Sequence, residues 1–166
     1  MKLKNYSSGN LHIPINVVWI KRDLRTQDHH PLKFAEEAEV PYVSIYIFDK
    51  RLINHPDTSN RHLSFIRASI HEMNRVLTSK GKEVRTFYGE SLEVFQWLHT
   101  NFDIKQVFSY QESGVAITWK RDMILAKYFA TQNIEWKEFQ QNGVQRGIKN
   151  RKNWVKNWYA TMAQPA

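Results

Sequence analysis

Five runs of apolar, β-branched and aromatic residues, each separated from the next by a stretch long enough for a helix, constrain this chain more than any single motif does. Ile15, Val17, Val18, Trp19 and Ile20 follow Pro14 almost without interruption, as in a strand buried on both faces of a parallel sheet. Residues 42–48 (YVSIYIF), 84–88, 106–110 and 134–139 supply four more. Parallel neighbours need long crossovers, and right-handed crossovers carrying helices cover both faces of the sheet. The expected fold is a doubly wound α/β domain. In that architecture ligands lie beyond the carboxy ends of the strands, where the strand order reverses.

The intervening segments read as helices. Asp28 is placed to open the first, with Pro31 in its first turn and Pro41 ending it. Asp49 marks the end of the second strand, and residues 51–59 read as a loop that stops at an N-cap, Ser59. Leu63, Ile66, Ile70, Met73 and Leu77 then fall at spacings of three and four, and Gly81 sits where a helix end favours positive φ. A short helix carries Leu92, Val94, Phe95, Trp97 and Leu98. The next spans 113–132, with Ile117, Ile124, Leu125 and Phe129 assigned to the core. A last amphipathic segment, 150–162, has no obvious home in a five-stranded layer.

With 166 residues, 42% of them hydrophobic, one core is expected. No run reaches the roughly 18 apolar residues of a membrane span, and residues 1–15 hold Lys2, Lys4, Asn5, Asn10 and His12 where a signal peptide is apolar. A cytoplasmic protein is expected. The absence of cysteine removes disulfides, thiolate metal sites and thiol nucleophiles. Of the net charge of +8, five units lie on Arg146, Lys149, Arg151, Lys152 and Lys156, because no acid follows Glu138. This basic tail is either a solvated face or linker, or a contact for nucleic acid or an acidic partner.

Two loops concentrate the remaining chemistry. Lys21-Arg22-Asp23-Leu24-Arg25-Thr26-Gln27-Asp28, after the first strand, combines three bases with two acids, which can pair among themselves or face a planar or anionic ligand. Tyr110-Gln111-Glu112-Ser113-Gly114, after the fourth strand, brings an aromatic ring, an amide and a carboxylate to an expected helix start. No GxGxxG, Walker A or GxSxG sequence is present. The seven histidines show no HExxH or other metal-ligand spacing, so no metal site is expected.

Longer stretches carry a resemblance. Residues 17–35 (VVWIKRDLRTQDHHPLKFA) resemble the opening strand, RDLR loop and D-x-x-P-L helix start of the DNA photolyase/cryptochrome family. Residues 59–91 resemble its long second helix and third strand. Residues 110–122 (YQESGVAITWKRD) resemble its E-S/T-G and W-x-x-R-D stretch, and residues 142–154 its G-V-x-R run toward the next domain.

The resemblance implies a Rossmann-like five-stranded parallel sheet of order 3-2-1-4-5, the N-terminal antenna domain, over residues 1–140. Residues 141–166 would then be a basic interdomain linker and aromatic helix leading to a helical FAD-binding domain absent from this chain. In the parent, a deoxyribodipyrimidine photolyase, that domain would bind damaged DNA, and light-excited reduced FAD would split pyrimidine dimers. This fragment alone is not expected to be catalytic. Its own ligand would be an antenna chromophore, held by Arg22, Asp23, Asp49, Tyr110, Gln111 and Glu112. Folate-binding relatives carry Asn-Glu where this chain has Ile117-Thr118, which disfavours folate and leaves a deazaflavin, a flavin or an empty cleft. The competing expectation is a stand-alone adenine-nucleotide-binding signalling module of the same layered fold.

Overall fold

The structure is a computed structural model that describes residues 13–144 and 146–164. The reading of the amino-terminal charges at residues 2–12, and position 145 of the G-V-x-R run, lie outside the described residues. Five parallel strands, β1 (Pro14–Ile20), β2 (Tyr42–Asp49), β3 (Val84–Gly89), β4 (Asp103–Tyr110) and β5 (Glu135–Phe139), form one sheet of order β3-β2-β1-β4-β5. Val17 of the central strand pairs with Val43 on one side and Val107 on the other. The helices are α1 (His30–Glu37), α2 (Lys50–Ile53), α3 (Asn60–Leu77), α4 (Ser91–Asn101), α5 (Ala116–Thr131) and α6 (Trp154–Met162).

The period of two along β1 sorts its side chains into two cores. Ile15, Val17 and Trp19 pack with Val94, Phe95 and Leu98 of α4 and Leu125 and Phe129 of α5. Val18 and Ile20 pack with Leu32 and Ala35 of α1 and Ile70, Met73 and Leu77 of α3. The first core is rich in rings: Phe95 stands edge-on to Trp19 at 5.3 Å and to Phe129 at 4.9 Å. Ser59 caps α3 and Gly81 has φ +68°, as the sequence suggests.

Element boundaries depart from the sequence reading where capping chemistry is unusual. Asp28 does not open α1; it sits in the left-handed region at φ +48°, and the cap is His29, whose Nδ1 accepts the Leu32 N–H at 3.1 Å. α5 begins at Ala116 after Val115, three residues later than expected, and Ser113 accepts a side-chain hydrogen bond from Asn142. The segment read as a loop from residue 51 contains α2, because the Asp49 carboxylate accepts the Arg51 N–H and starts a helical turn. β4 starts at Asp103, where the alternation of exposed Lys105 with buried Ile104 hid the strand in a polar stretch. Of the four core positions assigned to α5, Leu125 and Phe129 are buried, whereas Ile124 is exposed.

The last segment becomes helical at Trp154, after Asn153 in the left-handed region. None of the residues of α6 is fully buried. Its Trp158 lies so close to Gly143 that a Cβ there would stand 2.9 Å from the indole.

Replacing Phe95 with Ala removes a ring with no exposed surface from the centre of the aromatic core. A loss of about 3–5 kcal/mol is expected, read as a fall in the urea midpoint at unchanged slope.

Candidate functional site

Strand order reverses between β1 and β4, and the loops leaving these two strands meet at the carboxy edge of the sheet. The β1 loop is pinned from inside. Asp23 accepts the Lys21 N–H at 2.9 Å, and its other oxygen lies 2.6 Å from His29 Nε2. Because His29 Nδ1 accepts from Leu32, the hydrogen-bond network assigns the ring proton to Nε2, which donates to Asp23. Arg25 donates to the Asp28 carbonyl and to the Tyr110 hydroxyl. That hydroxyl also accepts the His30 N–H at 3.0 Å, and burial pushes the phenol's pKa up. Asp23 and Tyr110 thus spend their polar atoms on the shape of the loop. Of the loop's bases, Arg25 pairs within the loop, with Asp28, whereas Arg22 reaches out to Glu112 and Lys21 to Asp122.

Beneath the loops runs a chain of buried charges. Lys21 Nζ lies 3.1 Å from Asp122 and 3.9 Å from Glu138, and 4.5 Å from the centre of the Trp19 ring. Arg121 holds Asp122 at 2.8 Å and Glu112 at 3.4 Å and covers Trp19 at 4.7 Å. Burial pushes the Lys21 amine below its usual range, with Arg121 acting the same way and Asp122 opposing it. Burial likewise raises the Glu138 carboxyl. Arg146 closes the outer end by pairing with Glu138 and donating to the Glu112 carbonyl. In the sequence Arg121 and Asp122 stand out only as the end of the W-x-x-R-D stretch; the signal that they belong to the site is a charged pair in a helix whose neighbouring buried positions include Leu125 and Phe129.

The structure divides the single expected crevice into two hollows that share Lys21, Arg22 and Glu112 as a wall. The first, about 640 Å³, holds Asp23, Arg25, Tyr110 and Gln111 and is closed on one side by Trp158 and Met162 of α6. The second, about 440 Å³, lies over the ends of β1 and β2, between α2, α3 and α5. Its lining is mainly apolar and aromatic, with Leu24, Tyr46, Phe48, Leu52, Leu63 and Ile66 among its residues. Both volumes fall in the range of about 300–1,000 Å³ typical of small-molecule sites. Burial drives the Tyr46 phenol up to about 12, so it is protonated and available as a donor at neutral pH.

Asp49 lines the second hollow, but its oxygens are occupied. They accept from the Arg51 backbone and guanidinium and from the Ser91 N–H and hydroxyl, which joins the end of β2 to the start of α4. Burial acts to raise this carboxyl, and the bonds from Arg51 and Ser91 outweigh it, leaving its pKa below the usual value. Gln111 donates its backbone N–H to Phe139 and faces the first hollow. Glu112 alone among the six expected residues retains unused hydrogen-bonding capacity at a buried atom: Oε1 has no hydrogen-bond donor, although Arg22 Nε stands 3.2 Å away as an ion pair. Among the described residues no cluster of histidines and carboxylates could hold a metal ion, and no helix is long and apolar enough to cross a membrane.

A doubly wound sheet with paired hollows at its switch point, one aromatic and one polar, defines a Rossmann-like α/β domain. Residues 16–146 match the DNA photolyase family, and the chain belongs to that family. It is 26% identical over 129 residues to cryptochrome DASH of Gloeobacter violaceus, covering 74% of this chain and 25% of that protein. To cryptochrome-1 of Anopheles gambiae it is 24% identical over 127 residues, 72% of this chain and 23% of that protein. The chain therefore spans about a quarter of the length of the curated relatives it matches. The fold is shared with the archaeal photolyase of Sulfolobus tokodaii, at a TM-score of 0.74 and 22% identity over 92% of this chain and 36% of that one. That photolyase is described as holding two FAD molecules, with the implication of a novel light-harvesting cofactor. A Synechocystis cryptochrome superposes with a TM-score of 0.71 at 21% identity, covering 78% and 28% of the two chains.

Two outcomes follow from the electrostatics. Asp122→Ala leaves Lys21 and Arg121 buried beside each other, and should cost about 3–5 kcal/mol in urea unfolding. The Asp49 carboxyl titrates below its ordinary value in the folded state, so its contribution to stability is complete above that value and lost as pH falls through the folded one. Asp49→Asn should flatten the acid limb of stability below about pH 4, measured as urea midpoint against pH.

Proposed function

We propose that this domain is the antenna domain of a photolyase or cryptochrome, holding a conjugated light-absorbing ring in the hollow over β1 and β2. The observation that carries this reading is an aromatic, apolar lining at the carboxy edge of the sheet, bounded on one wall by Arg22 and the buried carboxylate of Glu112. That combination suits a planar heteroaromatic with an apolar body and a polar edge, and it lacks the glycine-rich cradle that a phosphate requires. The second FAD of the Sulfolobus tokodaii photolyase, with its implied light-harvesting role, favours a flavin-type ring.

When bound, such a ring supplies visible absorption and passes its excitation energy to FAD. The chain's own residues have no proton or bond to move. Tyr46 and Phe48, 4.9 Å apart and edge-on, present aromatic surface, and Leu52, Leu63 and Ile66 exclude water. Arg22 and Glu112 meet the polar edge. Ile117 and Thr118, whose hydroxyl is already given to the Val115 carbonyl, offer no amide or carboxylate to a pterin, so a flavin or deazaflavin is preferred to folate.

FAD and damaged DNA belong, on this proposal, to a helical domain following residue 166 in the parent protein, with residues 141–166 as the connection. The exposed Val155, Tyr159 and Met162 of α6 are then the side chains that pack on it.

Incubation of the purified chain with riboflavin or 5-deazariboflavin, followed by gel filtration, should leave a visible absorption band on the protein. Leu63→Trp, which fills the hollow, should abolish the band. Absence of any retained ligand with the unaltered chain would refute the antenna reading.

A further inference from the structure

We propose that β3 is an interface: it pairs antiparallel with β3 of a second copy of this chain, joining the two sheets into one across a two-fold axis.

β3 lies at one edge of the sheet and has β2 as its only neighbour. In a parallel ladder each residue turns its N–H and C=O to the same side, and successive residues alternate. Val84 turns both groups outward, away from β2, because the side chain of Asn74 in α3 takes them. The Asn74 amide oxygen accepts the Val84 N–H at 2.7 Å, and its nitrogen donates to the Val84 carbonyl at 3.2 Å. Asn74 thus stands in for a further strand at that one residue. By the same alternation Thr86 and Tyr88 point their backbone groups outward, and among the described residues nothing bonds to them. Both side chains are exposed, Tyr88 by 66%.

The opposite edge of the sheet is finished differently. β5 carries Glu135, Lys137 and Glu138, the last held by Lys21 and Arg146. Charges of this kind keep a strand edge from pairing. In β3 Arg85 is the one charged residue; Val84, Thr86, Phe87 and Tyr88 are β-branched or aromatic, and the register with β2 runs without a bulge. None of the usual devices that blunt an edge is present along it.

Self-pairing fixes the register. Identical strands related by a two-fold axis run antiparallel. With Val84 already bonded to Asn74, the register that uses every free group sets Phe87 opposite Phe87 of the second copy. Thr86 then exchanges both N–H···O bonds with Tyr88 of the second copy, and the axis repeats the exchange.

Charge complementarity favours a second copy as the occupant. In this register Arg85 lies opposite Gly89 of the second copy, on the same face of the sheet. Gly89 has no side chain to fill that place, and a Cβ there would stand 3.7 Å from Glu93 Oε2. Arg85 therefore reaches across Gly89 of the second copy to its Glu93 carboxylate, and the axis repeats this pair as well. Within its own chain Arg85 is held by Glu83 in an exposed contact, which is worth little. A strand of arbitrary sequence would not bring an acid to this point.

Sedimentation of the 166-residue chain at increasing concentration should show a dimer of twice 19.8 kDa, with a dissociation constant of about 1–100 μM, as for a short interface. Hydrogen exchange distinguishes this edge from any other contact without altering the chain: the Thr86 and Tyr88 amides should exchange about tenfold or more faster in the monomer than in the dimer. Thr86→Pro removes an outward N–H, costs β3 no bond to β2 and should give a monomer. Arg85→Glu should weaken the dimer about tenfold or more, and its combination with Glu93→Arg should restore it. A chain that stays monomeric at about 1 mM would overturn the proposal and leave the edge to a strand of another protein. A dimer in which the Thr86 and Tyr88 amides exchange as fast as in the monomer would overturn it too, since the contact would then lie elsewhere.

Discussion

The carboxy edge of this domain depends on burying charge next to aromatic rings. Lys21, Asp122, Arg121 and Glu112 run as one chain from the end of β1 into α5 and the β4 loop, and both cations cover Trp19. Taking these groups from water is costly, and their mutual attraction returns that cost only if each keeps its partner in good geometry. The network therefore tolerates few arrangements. It fixes the first residue of the β1 loop to the first turns of α5, and with them the separation of the two loops that bound the candidate site. The indole faces add attraction for the cations at no further cost in desolvated acceptors.

From that anchor the other polar residues fall into two kinds. Asp23, His29, Arg25 and Tyr110 form a closed set of hydrogen bonds that carries the chain around a left-handed turn at Asp28 and into α1. Asp49 does the same work between β2, α2 and α4. These residues shape the walls and have little left to offer a ligand. Glu112 and Arg22 differ because the charge network orients one carboxylate oxygen and leaves the other without a donor, while the exposed guanidinium keeps its freedom to adjust. A site of this kind is built by satisfying nearly every polar group and sparing one.

Much of this was legible from residue patterns. The near-continuous apolar run of β1 and the aromatic run of β2 announced a sheet covered on both faces, and the stripe from Leu63 to Leu77 announced α3, because burial imposes period on sequence directly. The family and the strand order came through the RDLR, E-S-G and W-x-x-R-D segments, which match as ordered text. What stayed hidden depended on contacts between residues distant in sequence. A histidine cap at His29 follows from its bond to Asp23 and cannot be told from a surface histidine by position. The start of α5 at Ala116, past a serine and a glycine suited to open it, follows from Ser113 being engaged with Asn142 and Gly114 being pressed against Arg22 and Glu112. The division of one crevice into two hollows is a consequence of Glu112 turning inward, which no spacing rule encodes.

Energy transfer from an antenna, the role proposed for this domain, would ask of the protein position and orientation only. Around the second hollow burial drives Tyr46 up and Lys21 down, toward their neutral forms, while the bonds from Arg51 and Ser91 hold the Asp49 carboxyl below its usual value. A ring seated against Tyr46 and Phe48 is constrained in tilt by the apolar lining, but it can still rotate in its own plane. A polar contact from the wall formed by Lys21, Arg22 and Glu112 would remove that last freedom, and with it a hollow able to bind a dye would become one able to aim its transition dipole.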